Sequence, residues 1–344
     1  MPTIDFTSSR HLTQAVKATV VQTPFILDKF FSQKENATSE TIDIPLVATK
    51  DQRANFVSKG QDALVVNGDS TTLTTVKVPT TYEQRVFSES DADKFNPTLI
   101  SYLAQDEQNN LINDAIIAEV ERLKKRVVTR RESMACESAF NGILSVSQAN
   151  VEFSIDYGFV TGQNKITKSG TAKWDGSTAD ILGDFRTARS LGIKKGYSID
   201  TCVLSTDLAT TFMKNVDVLK YLNNNNFRVG SLDMTAKKYS NANLIGIFHG
   251  IEVWEYSNEY VDSSGVSQPM FSATKALFGA SVNANKLITA PIRRFVNGKL
   301  TAVGSGEYMD VETSRDGRQL SWKLEQKSLP TICDRNAFIS ITAV

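Results

Sequence analysis

Histidine is scarce in this chain, and with it the material for several common kinds of active site. Only two histidines, His11 and His249, occur among the 344 residues. A Ser-His-Asp triad needs a histidine held by a carboxylate, and histidine zinc sites need several histidines at fixed spacings. The sequence therefore predicts no catalytic histidine, no metal site and no enzyme of these classes.

The glycine motifs that hold cofactor phosphates are also missing. Gly304-Ser-Gly306 continues to Met309, where a dinucleotide-binding fingerprint needs a third glycine. Gly298-Lys299 is followed by Leu300, where a P-loop needs serine or threonine. We therefore expect no bound cofactor.

Clustered cysteines, long apolar runs and an excess of one charge are absent as well. Cys136, Cys202 and Cys333 are far apart in the sequence, which predicts buried thiols in a reducing compartment. No apolar run approaches the roughly 18 residues of a membrane span, and the N-terminus lacks a signal-peptide pattern. Lys+Arg 38 and Asp+Glu 38 cancel, which argues against a dedicated nucleic-acid-binding protein. We expect a protein made in the cytosol, with no membrane partner.

An apolar cluster lies near the N-terminus, at residues 24–31 (Pro-Phe-Ile-Leu-Asp-Lys-Phe-Phe). No large domain precedes it, so two interpretations are equally open. The cluster could form a helix that packs on the chain's own core. It could instead belong to an arm that buries its aromatic side chains on a neighbouring molecule, and Phe25, Phe30 and Phe31 would then be subunit contacts.

A polar hairpin is predicted further along the chain. Asn67-Gly68 lies between the strand-like segments Ala63–Val66 and Thr71–Val78, and Asn-Gly is a strong turn signal between strands. The second segment carries few bulky apolar residues, and an isolated two-stranded hairpin is marginal in water. We therefore expect the hairpin to need a partner surface, which makes Asn67 and Gly68 candidate subunit contacts.

The longest regular element is a helix over about residues 106–140. Its apolar side chains recur at helical spacing: Ile112, Ile116, Val120, Leu123, Val127 and Met134. A helix of this length is roughly 50 Å long, and Gly142 is a plausible end. The basic clusters on its other face are either solvated and offset by glutamates or paired with a neighbouring subunit. Arg130 and Arg131 are the candidates for the second role.

The rest of the chain mixes short helices and strands. Residues 176–281 alternate between the two, and the last sixty residues return to strands. In the final segment Ala337, Ile339, Ile341 and Ala343 define an apolar face, whereas the opposite face is mixed. The pattern predicts a mixed α+β fold.

Four segments together resemble the lambda-type major capsid (major head) proteins of tailed phages. They are Arg130–Gly142, Cys202–Ala209, Gly246–Tyr256 and Lys327–Val344. No segment is specific by itself, but their order and spacing cover nearly the whole chain.

The resemblance implies the Hong Kong 97-like capsid fold, which is α+β. Residues 1–40 would be the N-terminal arm and residues 41–90 the extended E-loop. The P-domain, with a long spine helix, would comprise residues 91–175 and 282–344. The A-domain would comprise residues 176–281.

The resemblance also implies a function without catalysis. Hexamers and pentamers of the chain would tile an icosahedral head around double-stranded phage DNA, which they would contact weakly and non-specifically. The protein would assemble in the host cytoplasm and remain in the virion. Its other partners would be a scaffolding protein, a portal, a maturation protease and, in some members, a decoration protein. Two alternatives are a cellular encapsulin-like cargo shell of the same fold and a small-molecule enzyme with a site in residues 176–281.

Overall fold

The structure is a computed structural model. It describes Thr13, Val16 and residues 24–47, 71–88, 105–148, 151–224, 239, 241–262, 264–296, 298–316 and 319–344.

The described residues form a mixed α+β fold, as predicted. The helices are α1 (Phe25–Phe30), α2 (Gln105–Asn141), α3 (Ile181–Ile193), α4 (Thr206–Lys214) and α5 (Val216–Asn224). The first strands are β1 (Gln33–Asn36), β2 (Thr41–Val47), β3 (Thr71–Lys77), β4 (Thr80–Ser88), β5 (Ile143–Gln148), β6 (Val151–Asp156), β7 (Lys165–Thr167) and β8 (Thr201–Leu204). The next are β9 (Ala242–Phe248), β10 (Ile251–Tyr256), β11 (Glu259–Val261), β12 (Ser267–Pro269) and β13 (Lys275–Gly279). The last are β14 (Lys286–Thr289), β15 (Pro291–Val296), β16 (Lys299–Ser305), β17 (Glu307–Thr313), β18 (Gln319–Thr331) and β19 (Phe338–Thr342).

A six-stranded sheet, in the order β7-β19-β13-β8-β10-β9, separates two cores. Its central strand β8 is buried along its whole length, as a continuous apolar run predicts. Helix α4 begins directly after β8, where the Leu208 N–H donates to the Ser205 hydroxyl at 3.2 Å. Helices α3 and α4 cover one face of the sheet, and the ring of Phe185 meets those of Phe248 and Phe278 edge-on.

The C-terminal strand β19 belongs to this same sheet. It pairs antiparallel with β13 and parallel with β7. The predicted division had placed residues 338–342 and 275–279 in different domains, yet the structure joins them by a strand ladder. The reason is that β19 buries side chains on both faces: Ile339 and Ile341 face the α3 side, and Phe338 faces the other core.

The second sheet is built around the 13-residue strand β18. Its order is β1-β14-β18-β17, with β4 also pairing to β18. Residues 320–326 of β18 lie between β17 and β4, whereas residues 328–331 pair with β14. One long strand thus pairs with three neighbouring strands along its length.

Helix α2 spans Gln105–Asn141, close to the predicted 106–140. Val120, Leu123 and Val127 are buried against Met309 and Trp322 of the second sheet. Met134 is also buried as predicted, whereas the side chains of Ile112 and Ile116 lie outside the described residues.

Gly142 ends helix α2, as predicted. Its φ of +65° is in the left-handed region that favours glycine. A Cβ at this position would lie 2.2 Å from the Phe159 ring. The helix therefore ends where only glycine fits without displacing a core side chain.

The N-terminal cluster packs on the chain's own core, which is the first of the two interpretations that the sequence left open. Phe25, Phe30 and Phe31 are at most 1% exposed. Phe30 lies edge-on against Phe338, with ring centroids 5.3 Å apart, and a Cβ on Gly279 would lie 2.4 Å from the Phe30 ring. The surface that buries these aromatics comes from strands more than 200 residues later in the sequence, which is why the local pattern left the choice open.

Candidate subunit-contact surfaces

The first candidate contact surface is the antiparallel ladder of β2 and β3. Thr41 pairs with Lys77 and Val47 with Thr71, in a sheet of two strands among the described residues. The ladder joins Thr71–Lys77 to β2, a pairing that the sequence analysis did not predict. Ala63–Val66, Asn67 and Gly68 lie outside the described residues.

The base of the β2–β3 ladder is anchored in the main core. Ile42 and Ile44 of β2 and Val78, just after β3, are buried there. The Val78 N–H donates to the Glu40 carbonyl at 2.9 Å, which closes the base. The ladder is thus fixed at one end by apolar packing and a backbone hydrogen bond.

Five charged side chains, which we call the Lys327 ion cluster, join this base to two other elements. Lys327 Nζ of β18 lies 2.7 Å from a carboxylate oxygen of Glu40 and 3.5 Å from one of Glu325. Glu325 also pairs with Arg294 of β15, and Lys77 of β3 lies 4.0 Å from Glu40. The Lys327 and Glu325 side chains are only 10% and 6% exposed. Because burial removes the water that would stabilise their charges, each charge is stabilised by the opposite charge instead. The hydrogen bond from Lys327 is the main cause that lowers the pKa of Glu40.

A buried carboxylate anchors the N-terminal helix from the side of α2. Glu132 is 1% exposed and accepts hydrogen bonds from the N–H groups of Ile26 and Leu27 at 2.7 and 3.1 Å. The hydroxyl of Tyr256 donates to the same carboxylate at 3.0 Å. Burial raises the pKa of Glu132, and the hydrogen bonds oppose that rise in part. Three distant segments, α1, α2 and β10, therefore meet at one side chain.

Of the two predicted basic contacts on α2, the structure pairs one within the chain. Arg131 forms an ion pair with Glu307 at the start of β17, and both side chains are largely buried. Arg130 is partly exposed, and its positive charge helps to lower the pKa of Glu137, which burial raises more strongly. Arg131 is therefore paired within its own subunit, whereas Arg130 remains a candidate for contact with a neighbouring subunit.

The basic face of α2 is also paired with the chain's own glutamates. Arg126 lies 3.3 Å from Glu83 of β4, and Arg122 lies 2.6 Å from Glu119 one turn away. Arg85 of β4 lies 3.8 Å from the same Glu119. These pairs tie helix to strand, and they match the interpretation of a charged face offset by glutamates.

One exposed surface was missed by reasoning from the sequence: the hairpin of β15 and β16, which we call the basic hairpin (residues 291–305). Phe295 pairs with Leu300 near its end, and their side chains are 77% and 57% exposed. Ile292, at the base, is completely buried. Asn297-Gly298 between two strand-like segments is the turn signal that could have revealed it.

His249, one of the two histidines, lies in a turn between two strands. His249 and Gly250 form the tight turn between β9 and β10, both with positive φ. Burial and the charges of Arg186 and Arg189 lower the pKa of His249. Among the described residues no group of three His, Cys, Asp or Glu side chains could hold a metal ion, and no helix is long and apolar enough to cross a membrane.

A small polar cavity lies where α2 meets the second sheet. Its volume is about 120 Å³, and small-molecule sites are typically about 300–1,000 Å³. The lining residues are Arg131, Thr289, Ser305, Gly306, Glu307, Gln326 and Ser328. The cavity is therefore too small for a cofactor.

Residues 8–343 match the sequence family described as phage major capsid protein E. The match spans nearly the whole chain. The chain belongs to this family. Among curated protein sequences, none matches it.

Solved structures with the same fold include capsid proteins. A protein assigned as the capsid protein of a prophage in E. coli CFT073 is 14% identical, with a TM-score of 0.66 over 98% of this chain and 99% of that one. A phage-related protein of Bordetella bronchiseptica RB50 is 10% identical, with a TM-score of 0.52 over 96% of each chain. The mature capsid of bacteriophage PhiM1 gives 10% identity and a TM-score of 0.50, over 94% of this chain and 88% of that one. At such low identity these similarities show the shared fold.

The family and the fold together confirm the central predictions. The chain is a phage major capsid protein, its fold is Hong Kong 97-like, and its function is to form the shell of the head. It is therefore a structural protein of the virion, and its copies self-associate.

Proposed function

We propose that copies of this major capsid protein assemble as hexamers and pentamers into a closed icosahedral head around double-stranded DNA. The β2–β3 ladder is the observation that carries this proposal. It is a two-stranded sheet anchored only at its base among the described residues, and such a ladder is marginal in water without further packing. A second copy of the chain would supply that packing.

The proposed division of the chain follows the predicted one with a single change. Residues 1–40 form the N-terminal arm and residues 41–90 the E-loop. Residues 91–175 and 282–337 form the P-domain, and residues 176–281 form the A-domain. Strand β19 joins the A-domain, because its ladder with β13 supports that assignment. Strand β7, within residues 91–175, then extends this sheet from the P-domain by pairing with β19.

The charge balance supports weak contact with packaged DNA. The net charge is zero, and three arginines of α2 (Arg122, Arg126 and Arg131) are paired with carboxylates of the same chain. A chain without a basic excess should displace few counterions from phosphates in net terms, which supports weak, sequence-independent binding. We further propose assembly in the host cytoplasm without catalysis by this chain. A scaffolding protein, a portal, a maturation protease and, in some relatives, a decoration protein complete the assembly.

Self-assembly of the purified chain tests the proposal. Light scattering and negative-stain microscopy over a range of protein and salt concentrations should show capsomers, tubes or shells. Circular dichroism of the same samples establishes that the subunit is folded. A folded protein that stays monomeric under every condition would overturn the proposal.

A further inference from the structure

The basic hairpin carries positive charge and exposed apolar surface together. Residues 291–305 include Arg293, Arg294 and Lys299 and no acidic residue. Arg294 is paired with Glu325 at the base. Arg293 and Lys299 are exposed, and Arg293 also donates to the Thr38 carbonyl of the same chain at 3.1 Å. Next to these charges lie the exposed side chains of Phe295, Val296 and Leu300. Aromatic and arginine side chains of this kind are enriched at protein interfaces.

The strands β11 and β12 form a second largely exposed hairpin, which we call the acidic hairpin (residues 259–269). It contains Glu259 and Asp262 and no basic residue. Val261 and Val266 are 68% and 53% exposed. The Asp262 carboxylate accepts hydrogen bonds from the N–H groups of Ser264 and Val266, and these bonds help to lower the pKa of Asp262. The acidic hairpin is thus the counterpart of the basic hairpin in charge, with an apolar surface of its own.

We propose that the basic hairpin of one subunit docks on the acidic hairpin of a neighbouring copy. Phe295, Val296 and Leu300 would cover Val261 and Val266, while Arg293 and Lys299 would approach Glu259 and Asp262. The contact is heterologous, which allows it to repeat around a ring of subunits. The inference rests on the proposed function, because the partner is a second copy of this chain.

Two features of the structure favour this pairing over others. Two basic hairpins facing each other would bring like charges together, which is unfavourable at an interface. The β5–β6 hairpin is also acidic, with Glu152 and Asp156, but its apolar residues Val146 and Ile155 are buried inside the subunit.

The β9–β10 hairpin also carries two glutamates and the exposed side chains of Leu244 and Ile247. Its Glu252 is paired with Lys29 of the same chain, however, and Arg189 lies against its turn. Residues 259–269 therefore suit the basic hairpin best in charge and exposed apolar surface.

Cross-linking between engineered cysteines tests the contact directly. The native cysteines are all buried, so added surface thiols should react selectively. The variants are Val296→Cys and Val261→Cys, singly, in one chain, and as a mixture of the two single variants. With a short bifunctional maleimide, assembled particles of the double variant and of the mixture should give covalent dimers and higher oligomers. Each single variant alone should give none.

Two outcomes of the cross-linking experiment would overturn the docking without contradicting the proposed function. Shells that form normally but give no cross-link would overturn the docking and leave the capsid function intact. Cross-links in Val296→Cys alone would show that the basic hairpin meets itself, which also overturns the proposal.

Charge reversal gives a second, independent test. Lys299→Glu should strongly reduce assembly of a folded subunit, and Arg293 is left unchanged because it donates to the Thr38 carbonyl of its own chain. Adding Glu259→Lys to the same chain should restore assembly, and Asp262 is left in place to preserve its turn. The matched control, Lys194→Glu, makes the same charge change at an exposed position after α3 and should assemble. Equal loss in the control, or no rescue in the combined variant, would count against docking between these hairpins.

Discussion

Glu132 shows how one side chain can hold three distant parts of the chain in place. Its carboxylate is buried, and it accepts hydrogen bonds from the first turn of α1 and from Tyr256 of β10. Aromatic packing alone would bury Phe25, but it would leave the amide groups of Ile26 and Leu27 without acceptors. The carboxylate supplies those acceptors, so it fixes where the N-terminal helix lies on α2.

We predict that Glu132→Ala strongly destabilises the subunit. The substitution leaves three buried donors without an acceptor, and each orphaned donor costs about 1–3 kcal/mol. The free energy of unfolding should therefore fall by about 3 kcal/mol or more. Glu137→Ala is the control, because Glu137 is only partly buried and accepts one bond, from the Ser145 N–H. Urea denaturation that finds equal losses in the two variants would refute this role for Glu132.

The pKa of Glu132 also gives the subunit a predictable pH dependence. Burial raises this pKa in the folded state, so the folded state binds the proton more tightly than the unfolded state. The contribution of Glu132 to stability is therefore lost as the pH rises from the unfolded pKa to the folded pKa. The stability of the wild type relative to Glu132→Gln should decline across that window. A difference that stays constant or increases with pH would contradict the assignment.

Lys327 carries the second residue-level prediction. Lys327→Met removes the cation that Glu40 and Glu325 share. Glu325 keeps Arg294 and Glu40 keeps Lys77, so the loss should be smaller than the roughly 3–5 kcal/mol typical of a buried charge left without any partner. Lys323→Met is the control, because the carboxylate partner of Lys323, Glu312, is 62% exposed.

The ion cluster also gives a pH dependence. The pKa of Glu40 is lowered by Lys327, so the contribution of Glu40 to stability is lost as the pH falls. Thermal unfolding at neutral pH should show a clear loss for Lys327→Met and little change for Lys323→Met; the reverse order would exclude the ion cluster as an anchor.

At the scale of elements, α2 has two packing partners. Its middle part packs on the second sheet through Val120, Leu123 and Val127, and its C-terminal part enters the main core at Met134 and Phe140. The charged face of the middle part is tied to β4 by ion pairs. The helix thus links the core beside the six-stranded sheet to the second sheet.

We predict that Val120→Asp prevents soluble folding, whereas Lys125→Ala changes stability by less than about 0.5 kcal/mol. Val120 is 3% exposed, so the new carboxylate would be buried without a partner. Lys125 lies on the exposed face. Expression yield and denaturation midpoints measure both effects. Normal folding of Val120→Asp would mean that Val120 does not lie on the buried face of α2.

The elements that the sequence predicted are those whose signal lies within a short stretch of residues. Helix α2 and its buried face, the buried strand β8 and the glycine that ends α2 all follow from spacing or from one residue's backbone preference. The burial of α1 did not follow, because the surface that covers it comes from β13 and β19, far along the chain. The pairing of β3 with β2 was missed because a strong Asn-Gly turn signal favoured the nearer segment. In the candidate contact surfaces, the basic hairpin was overlooked although Asn297-Gly298 carries the same signal.

At the scale of the whole molecule, helix α1 is buried inside its own subunit. The apolar surface of α1 is buried by its own chain. The candidates for contacts between subunits among the described residues are therefore the β2–β3 ladder, Arg130 and the acidic and basic hairpins. A shell built from several such contacts can close without any one contact being strong.

We predict that DNA binds the assembled or free protein weakly and without sequence preference. The net charge is zero, so binding depends on local cations and should fall steeply as salt rises. Gel-shift titrations of unrelated duplexes at low and physiological salt measure this. A tight, sequence-selective complex would be incompatible with a role limited to enclosing DNA.

A cryo-electron microscopy reconstruction of particles formed by the purified chain tests the central claim most directly. We expect closed icosahedral shells of hexamers and pentamers. In them, the β2–β3 ladder should lie on a neighbouring subunit, while α1 stays packed in the core of its own chain. Shells in which the ladder touches only its own subunit, or a preparation of folded subunits without ordered particles, would contradict the account.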